Sequence, residues 1–188
     1  MFSLNSGIFL PPQILKTIYS SLITCHLNYG VLLWGSQSER IEKLQKKALR
    51  IITNSRYNAH TDPLFVRSNL LKVSDILRLK QLQFFFKWHA NNLPLYFRGD
   101  FITFHSDVHS YGTRNREALT LPRFFRGYTR TSLRYSLVNC INNTPNQVLS
   151  KVFTHSYWGF KNYAKQFLLS EYNLSCNVDD CFVCNRLA

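Results

Sequence analysis

Acid is scarce in this chain. Its 188 residues include ten Asp and Glu against 23 Lys and Arg, for a net charge of +13. So few carboxylates leave little from which to build the paired-acid sites that hold two metals or run general acid–base chemistry. The sole adjacent pair, Asp179–Asp180, lies close to the C-terminus among cysteines and without apolar strands around it. It reads as a solvated acidic turn and not as the metal-holding pair of a polymerase hairpin. Glycine-rich phosphate loops and Gly-x-Ser-x-Gly are absent, which removes the P-loop and hydrolase readings. Long apolar runs are absent too. The best, Leu22 to Trp34, contains His26, Asn28 and Gly30 and falls short of the ~20 residues that cross a bilayer. No Lys or Arg precedes Lys16 and no clean cleavage site follows, so no signal peptide is read. The five cysteines are odd in number and three crowd the last thirteen residues. That is no secreted disulfide framework, and the expected compartment is reducing and intracellular, nucleus or cytoplasm. No internal repeat or low-complexity run occurs.

What the chain does have is core material. Apolar residues make up 45% and aromatics 15%, including 15 Phe and 10 Tyr, which excludes a disordered chain. A chain of this length buries roughly 70% of its unfolded surface.

Helical periodicity dominates. Pro11 and Pro12 suit a helix start, and Ile14, Ile18, Leu22 and Cys25 recur at helical spacing up to the stop signals Gly30 and Gly35. Ser36–Thr53 is the clearest helix. Ser36 and Glu39 have capping-box spacing, and Ile41, Leu44, Ala48 and Ile51 form an apolar stripe. Glu39–Lys43 and Glu42–Lys46 are favourable i,i+4 pairs, worth ~0.2–0.5 kcal/mol each. After a turn through 54–60, Thr61 or Asp62 caps a short helix with Pro63 in its first turn. Ser74 and Asp75 open a helix to about Asn91, whose Ile76, Leu79, Leu82 and Phe86 make it central to the core. Residues 96–128 lack a sustained period and read as an extended connection with one short strand pair. Helices resume at 129–143, 146–153 and 157–172.

Two basic clusters stand out. Residues 39–80 hold ten Lys or Arg against four acids, and Arg40, Lys43, Lys47 and Arg50, flanked by Lys46, share one helical stripe. Residues 112–134 hold Arg114, Arg116, Arg123, Arg126, Arg130 and Arg134 against Glu117 alone, interleaved with Tyr111, Phe124, Phe125 and Tyr128. Arginine with aromatics suits phosphate contact plus base stacking. The competing reading is a solvated surface over core aromatics. His105-Ser-Asp107-Val-His109 could alternate as metal ligands on a strand, or be polar residues of an irregular connection. Cys176, Cys181 and Cys184 have zinc-ligand spacing, but a closed structural site needs four ligands. Zinc in the tail and free thiols therefore both stay open.

Several stretches, in order, resemble the region after the polymerase domain in reverse transcriptases of non-LTR (LINE-type, jockey-like) retrotransposons. They are Ile18-Tyr-Ser-Ser-Leu-Ile, Leu27-Asn-Tyr-Gly, Leu33-Trp-Gly, Leu44-Gln-Lys-Lys-Ala-Leu-Arg-Ile-Ile-Thr and Ala59-His-Thr-Asp-Pro-Leu-Phe. Leu70-Leu-Lys-Val-Ser-Asp-Ile, Asn92-Leu-Pro, His109-Ser-Tyr-Gly-Thr-Arg and Ser132-Leu-Arg-Tyr follow. The resemblance covers about residues 11–172. It implies thumb-type helices over 11–53 and a C-terminal linker region beyond. The catalytic aspartates of such RNA-directed DNA polymerases lie upstream of everything matched, so the resemblance implies a transposable-element fragment without palm, fingers or endonuclease.

The expectation is a mostly α chain: an irregular helical bundle with a long extended connection and a short Cys-containing tail. An N-terminal flank covers 1–10, the helical thumb/linker-like unit 11–172, and the tail 173–188. The expected function is binding of RNA or RNA–DNA duplex through its backbone, with no catalysis, no membrane and no small-molecule substrate. Cofactors are expected to be none, zinc at the tail being the open exception. The alternative is an inert or protein-interaction remnant.

Overall fold

The computed structural model describes residues 10–108, 111, 116–123 and 131–172. The architecture is the mostly α-helical bundle that the periodicity predicts. Arg114, Arg126, Arg130, the tail cysteines and Asp179–Asp180, all singled out from the sequence, lie outside the described residues.

The N-terminal run begins with α1 (Pro12–Ile18), continues through a π-helical turn (Tyr19–Thr24), and ends in α2 (Cys25–Asn28). Gly30, at φ 61°, takes the left-handed conformation that glycine adopts most cheaply, and it separates α2 from α3 (Val31–Trp34). The expected inward stripe is not what is buried. Ile14, Ile18 and Leu22 are exposed, and Tyr19, Leu27 and Val31 face the core instead. The Tyr19 hydroxyl is the reason, because it finds a buried partner on the next helix.

That helix is α4 (Glu39–Ile52). It starts later than its capping-box spacing predicts. Gly35 lies so close to its neighbours that a Cβ there would sit 3.0 Å from Val31 and 3.2 Å from Leu77. The chain tightens into a 3₁₀ turn at Gly35–Gln37, and Ser38, not Ser36, precedes the helix without a side-chain cap. α5 (Asp62–Ser68) opens with Pro63 in its first turn, as expected, and stops at left-handed Asn69.

α6 (Val73–His89) is the centre of the bundle, also as expected. It packs against α2, α3, α4, α8 (Leu133–Asn142) and α10 (Tyr157–Ser170). Val73, Leu82, Leu137, Val138, Phe160 and Ala164 are almost completely buried there. Phe86 stacks on Phe160, with ring centroids 5.2 Å apart. α9 (Asn146–Thr154) packs on α10. Ser132 and Ser156 cap α8 and α10 by accepting from the backbone N–H three residues on.

Between α6 and α8 the chain makes 3₁₀ turns at Leu95–Phe97 and Gly99–Phe101 and the single turn α7 (His105–Val108). Among the described residues, one antiparallel bridge, Phe104 with Leu119, lies where the strand pair is expected. Asn142 of α8 holds it. Its amide donates to the Leu119 carbonyl at 2.9 Å and its carbonyl accepts from the Leu119 N–H at 2.9 Å, as a neighbouring strand would.

Candidate nucleic-acid interface

The outer face of α4 follows from which face is held inside. Gln45, Leu49 and Ile52 recur at i, i+4 and i+7 and are all buried. Gln45 is the anchor. Its Nε2 donates to the Tyr19 hydroxyl at 3.0 Å and to the Leu71 carbonyl at 2.8 Å, and its Oε1 accepts from the Val73 N–H at 3.0 Å. One side chain thus joins the π-helical turn, α4 and the first residue of α6. With Gln45 inward, Leu44 and Ile51 are turned out, 63% and 60% exposed, which corrects the apolar stripe expected from hydrophobicity alone.

The five basic residues of α4 consequently divide. Arg40, Lys43 and Lys47 are exposed along the outer ridge. Lys46 is half-buried. Arg50 is spent on structure: its Nε and Nη2 donate to the Ala59 carbonyl at 3.1 and 3.0 Å, pinning the 54–60 turn. Glu39 and Glu42 do not form the expected ion pairs with Lys43 and Lys46. The ion pairs found among the described residues are Lys72–Asp62, Arg78–Asp75 and Arg78–Glu171. Arg40, Lys43 and Lys47 therefore face solvent without a carboxylate among the described residues. Seven residues separate the first from the last, about 10.5 Å along the axis. A single strand of duplex rises 3.4 Å per phosphate, so the ridge spans roughly three phosphates.

The second expected cluster is partly described. Arg116 and Arg123 are exposed. Arg134 lies half-buried in the first turn of α8. His105 and Asp107 are in α7, where Asp107 accepts from the Phe104 N–H at 3.1 Å and from the Ser106 hydroxyl at 3.2 Å. That carboxylate holds a turn. His109, the third member of this motif, lies outside the described residues. Among the described residues no three His, Cys, Asp or Glu side chains gather as a metal site. Burial pushes the Cys140 thiol up to about 11, so it is a packed thiol and not a nucleophile at neutral pH. Among the described residues no helix is long and apolar enough to cross a membrane.

The structure also gathers basic residues that the sequence patterns do not single out. Lys80 of α6 and Lys161 and Lys165 of α10 line one cavity. The only trace of this in the sequence is the i,i+4 spacing of Lys161 and Lys165 beside the core positions Phe160, Ala164 and Leu168.

Comparison of the chain with protein-family models, with curated proteins and with solved structures gives no match.

Proposed function

We propose that this chain binds RNA or an RNA–DNA duplex through the phosphate backbone, with Arg40, Lys43 and Lys47 as the contact ridge. The supporting observation is that these cations project together from one face of α4 with no carboxylate partner among the described residues. Unpaired cations in water are free to release the counterions of a polyanion, the main source of sequence-independent affinity. The net charge of +13 favours the same class of partner. The ordered sequence resemblance to the post-palm region of LINE-type reverse transcriptases supports an origin in such an element. The proposed role is binding and not polymerisation.

Replacing Arg40, Lys43 and Lys47 together by Gln tests this. Loss of three phosphate contacts should flatten the slope of log K against log salt by about 2.7 on a duplex. The helix is expected to persist, because Gln45, Leu49 and Ile52 are untouched. A matched set, Arg56, Arg67 and Lys151 to Gln, removes equal charge elsewhere. Equal losses from both sets would reduce the ridge to bulk charge and sink the proposal.

A second reading, a protein-contact remnant, has its own observation. Leu44 and Ile51 are exposed on α4, and Ile14, Ile18 and Leu22 are exposed on the neighbouring N-terminal helical run. Retention of nucleic-acid affinity by the ridge variant, with loss of a protein contact on Leu44→Ser, would favour it.

A further inference from the structure

A cavity of about 390 Å³ lies between the π-helical turn, α4, α6 and α10. Its volume falls within the ~300–1,000 Å³ of small-ligand pockets. Every charged side chain that lines it is a lysine: Lys80, Lys161 and Lys165. No Asp or Glu lines it. That sign is not an accident of a basic surface, because these lysines come from two helices packed on each other and are all partly withdrawn from water.

The hydrogen-bonding capacity of the wall can be assigned group by group. Both N–H bonds of the Gln45 amide are already used in the bonds described above. Lys165 gives one N–H to the Asn69 carbonyl at 3.0 Å and keeps the other two. Lys161 rests its ammonium over the Trp158 ring, 4.7 Å from the centroid, which satisfies one side of the cation. Lys80 has no acceptor among the described residues. Gln83 is only 5% exposed. Its Oε1 accepts from the Tyr157 hydroxyl at 3.2 Å, while its Nε2 is buried with no acceptor among the described residues. Three lysines and a glutamine whose buried amide N–H has no acceptor among the described residues thus belong to the wall of one cavity that contains no anionic side chain. Burial first, and then repulsion from Lys161 and Lys87, holds Lys80 below the ordinary lysine range. Burial, then Lys16 and Lys161, does the same to Lys165.

We propose that this cavity is a binding site for a phosphate group, with Lys80, Lys161 and Lys165 balancing its charge and the Gln83 amide donating to one of its oxygens. A phosphate supplies several acceptor oxygens in one compact anion, so it can satisfy donors that approach from different helices. The volume suits pyrophosphate or a phosphomonoester with a small organic group. The site is independent of the α4 ridge and does not rest on that reading. Free phosphate compounds and the phosphorylated end of a nucleic-acid strand share the chemistry.

The test uses the whole chain and pyrophosphate, with sodium chloride adjusted to constant ionic strength. Pyrophosphate should raise the melting temperature saturably and broaden its own ³¹P resonance. Lys80→Gln and Lys161→Gln should each weaken the apparent affinity about tenfold or more, and Arg67→Gln, an exposed charge elsewhere, should leave it unchanged. Lys80→Gln should also raise the melting temperature without pyrophosphate, since it removes a desolvated cation from a cluster of like charge. That expectation separates lost binding from lost folding. A short oligonucleotide with a 5′-phosphate, compared with its 5′-hydroxyl form, assigns the source. Tighter binding of the phosphorylated strand points to strand ends, and no gain points to free phosphate. No effect of pyrophosphate beyond that of chloride, or equal binding by wild type and both lysine variants, overturns the site.

Discussion

Gln45→Met should be among the most damaging substitutions in the chain, although it exchanges one unbranched side chain for another of similar size. Methionine fills the space, so the cavity penalty is small. What is lost is the junction of three elements. The Val73 N–H and the Leu71 carbonyl would each keep a buried polar group without its partner, and Val73 is 0% exposed. An orphaned buried group costs ~1–3 kcal/mol. The Tyr19 hydroxyl loses only a donor and keeps its own O–H, so its share is smaller. The sum is about 3–5 kcal/mol, a large part of the ~5–15 kcal/mol that holds a typical domain together. At ~2–4 °C per kcal/mol for a chain of this size, the melting temperature should fall by ~6–20 °C. Urea unfolding, checked by calorimetry, measures it. Tyr19→Phe is the companion variant, and it should cost less than Gln45→Met, ~1–2 kcal/mol, because it removes one bond and leaves a single buried Gln45 N–H without its acceptor. A Gln45→Met loss below ~1 kcal/mol would show that these bonds contribute nothing beyond what water or repacking supplies, and the reasoning would fail.

Arg50→Gln should lower stability by ~1–2 kcal/mol through loss of its paired donation to the Ala59 carbonyl, yet leave the salt slope of nucleic-acid binding within error of wild type. A flattened slope in that variant would place Arg50 on the phosphate ridge after all. Cys140, with its thiol at about 11, should alkylate far more slowly at pH 8 than the exposed Cys25. Its raised pKa leaves little thiolate at that pH, and its rate should climb as pH approaches 11. Peptide mapping after timed labelling reads the two sites separately, and comparable rates would contradict the burial of Cys140.

Much of the secondary structure was legible from residue chemistry. Pro63 in the first turn of α5, Ser156 before α10 and the Asn91–Pro94 stop after α6 act through their own backbone preferences, and these hold whatever packs nearby. α6 was legible as the core helix because apolar side chains occupy so much of its circumference that no rotation leaves them all in water.

The buried face of α4 was not legible, and the reason is physical. Its apolar residues occupy a wide arc that admits two inward orientations, one through Leu44 and Ile51, the other through Leu49 and Ile52. Hydrophobicity favours either. The choice falls to Gln45, a residue that hydrophobic patterning counts as polar, because the Tyr19 hydroxyl, the Leu71 carbonyl and the Val73 N–H all need it. The same holds for the N-terminal run, where Tyr19 displaces the expected isoleucine stripe from the interior.

By itself the sequence determined the helical class, the basic charge and the position of most helix ends, since those follow from composition and from residues acting on their own backbone. Tertiary packing alone decided which cations are available. It turned Arg40, Lys43 and Lys47 outward, committed Arg50 to a carbonyl, and set Lys80 against Lys161 and Lys165 across 81 and 85 residues of chain. Side chains that far apart in sequence meet only when α6 and α10 pack, and no local pattern encodes that packing.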